Sequence, residues 1–166
     1  MSDQSQEYLT FLLDGEEFGV DILRVQEIMV WAPVTAIPGA PDYLRGVINL
    51  RGVIVPIVDM RQRFGRDPID YTDTTVVIVL RTSESENSVV VGVVVDAVSE
   101  VYKVEAENIK ESPNFGDHID SRFVFGMATV DEKIIILLDA KKLLNVNDLY
   151  SVVSHVRPKA SESLAS

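Results

Sequence analysis

The stretch "YLRGVINLRGVIVPIVDMRQRFG", Tyr43 to Gly65, sets two Arg-Gly pairs six residues apart and carries an apolar, proline-interrupted run into Asp59. Charge beside glycine is material for a phosphate cradle or a catalytic loop, and equally for a turn that faces a partner. The glycines are flanked by strand-forming residues, so they make no dinucleotide fingerprint, and no Lys-Ser/Thr follows as in a phosphate loop. No G-x-S-x-G elbow occurs. The chain has no cysteine, which removes thiolate chemistry and a disulfide framework. His118 and His155 stand alone, without zinc-ligand spacing, and read as surface or packing residues. Asp14, Glu16 and Glu17 lack the spacing of a calcium loop. No catalytic residue, metal or cofactor is expected.

Three charged positions remain. Asp59 and Asp139 each follow an apolar strand and precede a helix-like stretch, as helix caps do. Arg51 suits a partner's carboxylate or carbonyls, because its fork of N–H donors is rigid and always charged. An ordinary surface arginine fits the spacing equally well.

Composition narrows the partner. A net charge of −11 argues against a nucleic-acid backbone or an anionic bilayer. The start "MSDQSQEYL" lacks the basic and apolar regions of a secretory signal. The apolar runs fall far short of the roughly 20 residues of a membrane-spanning helix. A cytoplasmic protein without membrane insertion, monomeric when free, is expected.

The elements that must hold these residues are strands. Runs rich in Val and Ile at Tyr8–Leu13, Phe18–Leu23, Val47–Leu50, Val53–Val58, Val76–Leu80, Val89–Val95, Met127–Val130 and Ile134–Leu138 are bounded by turn residues. Short helices are expected at "MRQRFG", at "AKKLL" after Asp139, and at 147–156. The halves also repeat. Gly19, Val20, Ile22, Val25 and Glu27 match Gly92, Val93, Val95, Val98 and Glu100 at an offset of 73 residues. Gly46, Ile54 and Asp59 match Gly126, Ile134 and Asp139 at an offset of 80, which sets Arg51 against Asp131. The repeat predicts two similar β-barrels, each too small to be stable without the other, with a groove between them.

These segments are recognisable. "VDILRVQEI", "YLRGVINLRGVIVPIVDMRQRFG", "DTTVVIVL", "GVVVDAVSEV" and "KIIILLDAKKLL" resemble the CheW family, the coupling proteins of bacterial chemotaxis, from about Tyr8 to Leu144. The resemblance implies a mainly β fold of two pseudo-symmetric, SH3-like, five-stranded barrels side by side, with a short C-terminal helix. It implies one CheW-like domain at 7–156, with lobes at roughly 14–70 and 71–156 and an N-terminal strand open to exchange between them. Disordered tails are expected at 1–6 and 157–166. The sequence shows neither the ATP-binding domain of the kinase CheA nor the receiver domain of CheV, so a free-standing, non-enzymatic adaptor is expected.

The implied partners are the cytoplasmic tip of a chemoreceptor and the regulatory domain of CheA, in membrane-associated arrays. Carried over by position, the receptor site is Ile22, Glu27, Arg51, Val76 and Val98. The kinase site is Val25, Val34, Arg45 and Gly46. An adaptor of a related array, such as one controlling pilus-driven motility, is the alternative within the family. A small-ligand-binding barrel, or a hydrolase using Asp59 and Glu27, is the alternative outside it.

Overall fold

The computed structural model describes residues 5–82, 89–111 and 123–144. Strands β1 (Ser5–Leu13), β2 (Glu16–Asp21), β3 (Val25–Val30), β4 (Leu44–Leu50) and β5 (Val53–Asp59) lead into a short helix, α1 (Met60–Arg63). The order then repeats with β6 (Val76–Arg81), β7 (Val90–Val95), β8 (Ala97–Glu105), β9 (Ile109–Lys110), β10 (Val124–Val130), β11 (Lys133–Leu138) and α2 (Ala140–Leu144). The counterpart of β9 in the first repeat is the single bridge from Thr35 to Val47.

The two sheets do not follow the two repeats. One has the order β3-β6-β7-β5-β4 and the other β8-β1-β2-β11-β10-β9. Each repeat gives its leading hairpin to the other's barrel. The exchange goes beyond the one strand expected, and a division near residue 70 is corrected, because β6 and β7 complete the sheet of β3–β5. The joins are parallel: β5 runs beside β7 with Ile57 opposite Gly92, and β11 beside β2 with Leu137 opposite Gly19. Both matched glycines therefore hold equivalent places. A Cβ on Gly92 would stand 2.7 Å from Ile57 Cδ1 and 2.8 Å from Val77 Cγ1, so those buried side chains would have to shift.

The inner stretches of β5, β6, β7 and β11 are buried on both faces, which is why they read as unbroken apolar runs. In β6, Val77 and Val79 fill the first barrel while Ile78 and Leu80 face a core shared between the sheets. In β11, Ile135 and Leu137 fill the second barrel while Ile136 and Leu138 face that same core. The shared core holds more buried side chains than both barrel interiors together. A run of rings crosses it, with centroids of Phe11 and Phe18 5.8 Å apart, Phe18 and Phe64 5.6 Å, and Phe64 and Phe123 6.0 Å. At about 1.5–3 kcal/mol for each large apolar side chain buried, the seam is the largest single source of stability.

Local chemistry sets the element ends. Asp59 Oδ1 accepts from Gln62 N at 3.2 Å and starts α1, and Gly65, at φ 77°, follows its end. Asp139 Oδ1 accepts from Lys141 N at 3.0 Å and starts α2. The expected strand at Phe18–Leu23 stops at Asp21, whose Oδ1 accepts from Leu23 N at 2.9 Å and turns Ile22–Arg24 into a single 3-10 turn. Ser5 and Gln6, expected in a tail, pair with Glu105 and Val104 as part of β1. The expected helix at 147–156, the tail at 157–166, His118 and His155 lie outside the described residues.

An ionic cluster ties the sheets at one end. Asp96, between β7 and β8, accepts from Arg61 Nε at 3.0 Å, from Arg61 Nη2 at 2.7 Å and from the Asp14 N–H at 2.8 Å. Arg66 Nη2 reaches Glu16 at 2.6 Å. Burial alone would push the Asp96 carboxyl up, but Arg61 and the Asp14 N–H together hold it below the usual range. A depressed carboxylate stabilises the fold fully above its unfolded pKa, near 3.9, and the contribution is lost as pH falls through the lower folded value. Asp96→Asn should therefore cost about 1–3 kcal/mol at pH 7. Its deficit against wild type should shrink as denaturation curves are taken below pH 4; a deficit that stays constant would show that the charge is not what ties the sheets.

Candidate functional site

β3 leaves the shared core through the 3-10 turn at Ile22–Arg24. Ile22, Val25, Val76 and Val98 are all half-buried and pack against that core. Two β-bulges shape this edge. β3 slips between Val25 and Glu27 against β6, and β8 slips at the matched place, between Val98 and Val101, against β1. A bulge bends its strand and re-aims the side chains beside it. At the second, the buried Thr10 hydroxyl donates to the Glu100 carbonyl at 2.8 Å and accepts from its N–H at 3.2 Å, so the irregular backbone stays paired.

Glu27, at the first bulge, receives Arg51 from the β4–β5 turn. Both terminal guanidinium nitrogens reach Glu27 Oε1, at 2.8 and 2.7 Å. The turn residues Arg51 and Gly52 sit at φ 51° and 87°, and Gly52 N–H donates to Asn49 Oδ1 at 2.8 Å. The Arg51 side chain remains 68% exposed, so donors beyond the pair face outward. The matched turn has Asp131, also at φ 51°, and Glu100 there accepts instead from the Tyr102 hydroxyl at 2.9 Å.

The residues expected on a kinase face divide. Val34, Arg45 and Gly46 gather at the rim of the first barrel, whereas Val25 stands at the seam with Ile22. Arg45 is the extra residue of a bulge between Leu44 and Gly46, which leaves it exposed. Gly46, at φ 148°, lies under the Thr35 carbonyl; a Cβ there would meet its oxygen, stand 2.7 Å from its carbon and 3.0 Å from Val34 Cγ2. Gly46 is buried, so it shapes the rim by letting two backbones meet.

Sequence reasoning missed two rings at this rim. Tyr71 donates to Asp59 Oδ2 at 2.6 Å, and Trp31 packs edge-on to Tyr71 with centroids 4.4 Å apart. Burial and the bond to Asp59 hold the Tyr71 phenol above its ordinary range, so it remains a donor. Trp31 is the chain's single tryptophan, and that was the available signal. Leu23 and Lys103 were missed as well; they line a hollow of about 450 Å³ with Ile22. The two residues of the hydrolase alternative are already engaged. Asp59 is 2% exposed with both oxygens bonded, and Glu27 holds Arg51. Asp14 and Glu16 answer Arg66.

Two SH3-like barrels locked by exchanged hairpins thus meet at an apolar seam with the Arg51 guanidinium held beside it. The chain belongs to the CheW-like domain family, whose family model matches residues 7–148. It is 44% identical over 144 residues to the chemotaxis protein CheW of Klebsiella aerogenes, covering 87% of this chain and 84% of that protein. It is 36% identical over 145 residues to a probable chemotaxis protein CheW of Rhizobium etli, covering 87% and 91%. The crystal structure of the scaffolding protein TtCheW from Thermoanaerobacter tengcongensis superposes with a TM-score of 0.76 at 33% identity, covering 86% of this chain and 94% of that one. The protein is thus of the chemotaxis scaffold family.

Gly46→Ala should destabilise the fold by about 1–3 kcal/mol or more, since the clash is with backbone. Gly52→Ala, at φ 87° in open space, should cost only about 1–2 kcal/mol of left-handed strain. Urea midpoints check the order; equal losses would mean that Gly46 matters for φ alone.

Proposed function

We propose that this protein is a non-enzymatic adaptor that couples the cytoplasmic signalling tips of chemoreceptors to the regulatory domain of the kinase CheA, working in the cytoplasm at receptor arrays. The observation that carries the reading is that Ile22, Val76 and Val98 are all partly exposed and all pack against the inter-barrel core. A receptor tip is a helical hairpin, and a helix laid in a groove needs a row of partly exposed aliphatic contacts. Arg51 supplies the polar fix. As an exposed pair with Glu27 it adds only about 0–1 kcal/mol to stability, so its value lies in presenting oriented donors to the tip. The separate rim of Val34, Arg45 and Gly46 gives the kinase domain a face that leaves the seam open. Val25, standing at the seam, belongs with the receptor contacts in this reading.

Two charge reversals test the division. Arg51→Glu keeps a non-glycine residue at φ 51° and sets two carboxylates together, so the fold should survive. Affinity for a receptor-tip fragment should fall tenfold or more, about 1.4 kcal/mol per tenfold, while kinase-domain affinity holds. Arg45→Glu should do the reverse. Calorimetric titration of both variants against both partners reads the result; unchanged receptor affinity in folded Arg51→Glu would take the seam out of the proposal.

A further inference from the structure

The rim of the first barrel depends on a ring that the family resemblance did not supply. Tyr71 lies in the segment between α1 and β6, far in sequence from the rim itself. Three contacts fix it. Its hydroxyl donates to Asp59 Oδ2 at 2.6 Å, and Asp59 is buried, with its own N–H donating to the Tyr43 carbonyl at 2.7 Å. Its ring meets Trp31 at 4.4 Å and 70°. Its body packs on the core of the first barrel with Val34 and Trp31. Over that fixed ring lies the Arg45 guanidinium, 5.7 Å from the centroid. Arg45 is otherwise an exposed side chain on a bulge, with many rotamers open to it.

We propose that Tyr71 is the positioning residue for Arg45: the anchored ring holds the guanidinium in the orientation in which it meets the kinase's regulatory domain. This rests on the reading of the rim given above. A hollow of about 300 Å³ opens beside the pair, lined by Arg45, Asp59, Pro68, Ile69, Asp70 and Tyr71. Ile69 is 45% exposed at its edge. A side chain from a partner barrel entering this hollow meets Ile69 on one side and the guanidinium on the other. Tyr71 itself need not touch the partner.

The full chain is titrated against the CheA regulatory domain and, separately, a receptor-tip fragment. Tyr71→Leu should weaken kinase-domain binding about fivefold, the scale of an exposed cation–π contact, and leave receptor binding unchanged. Tyr71→Phe keeps the ring and its contacts with Trp31 and the barrel core; it should lose stability, because Asp59 Oδ2 loses its donor, yet hold kinase-domain affinity within about twofold of wild type. In an Arg45→Ala background the Tyr71→Leu loss should shrink below about twofold, as residues acting through one another are non-additive. A full Tyr71→Leu loss in that background, an equal fall for both partners, or Tyr71→Phe as weak as Tyr71→Leu would each overturn the inference. If Arg45→Ala weakens binding and Tyr71→Leu does not, the inference alone falls. If Arg45→Ala leaves kinase affinity unchanged, the reading of the rim falls with it.

Discussion

The exchange of hairpins is the constraint on which the rest depends. Neither repeat can close a barrel from its own strands, because β1–β2 sit between β8 and β11 while β6–β7 sit between β3 and β5. The apolar face of each hairpin is therefore split between a foreign barrel and the shared core. That sharing fixes the angle between the lobes. A groove between two independently stable barrels would open and close at little cost. Here, moving one lobe against the other exposes the Phe11–Phe18–Phe64–Phe123 row and strains the Asp96–Arg61 bonds. The residues Ile22, Val76 and Val98 are backed by the protein's main core, so displacing them disturbs its largest packed cluster.

The sequence revealed the repeat, and the family resemblance one exchangeable strand, but not the exchange of both hairpins, and the reason is physical. Gly19, Gly92, Asp59 and Asp139 answer local demands — close strand approach and helix capping — so their spacing survives as a pattern. Which sheet a hairpin joins is decided by pairing at long range, and alternation along a strand says nothing about the neighbouring edge. β3 and β8 escaped notice as strands because a bulge interrupts each and polar residues such as Gln26, Ser99 and Glu100 break the apolar run. Glu27 and Arg51, both placed in the receptor site by the family resemblance, pair with each other. Tyr71 was not expected, since its segment "RDPIDYTDTT" reads as a polar connection and its partners Trp31, Arg45 and Asp59 come from three other places in the chain.

The two barrels share a backbone and differ in chemistry. The matched turns carry Arg51 in one and Asp131 in the other, at the same φ of 51°. The matched bulges carry Arg45 in one and Phe125 in the other, and Phe125 is 57% exposed. A duplicated fold thus carries an arginine at one bulge and one turn, and a phenylalanine and an aspartate at their counterparts. Electrostatic complementarity sets orientation more than affinity, so a partner that senses charge can tell one matched turn from the other.

The pairing of β1 with β8 also has a cost in time. Tyr8 lies opposite Tyr102, so the β1–β2 hairpin, once made on the ribosome, has no sheet to join until the chain has grown past that point. At about 5–20 residues per second, that interval is roughly 5–20 s. Throughout it, the edges of β1 and β2 and the ring of Phe11 wait uncovered. Contacts this distant in sequence also slow folding once synthesis ends, since long loops must close before any pairing rewards them. For a newborn chain, the architecture that makes the finished scaffold stiff is a period of exposure in a crowded cell.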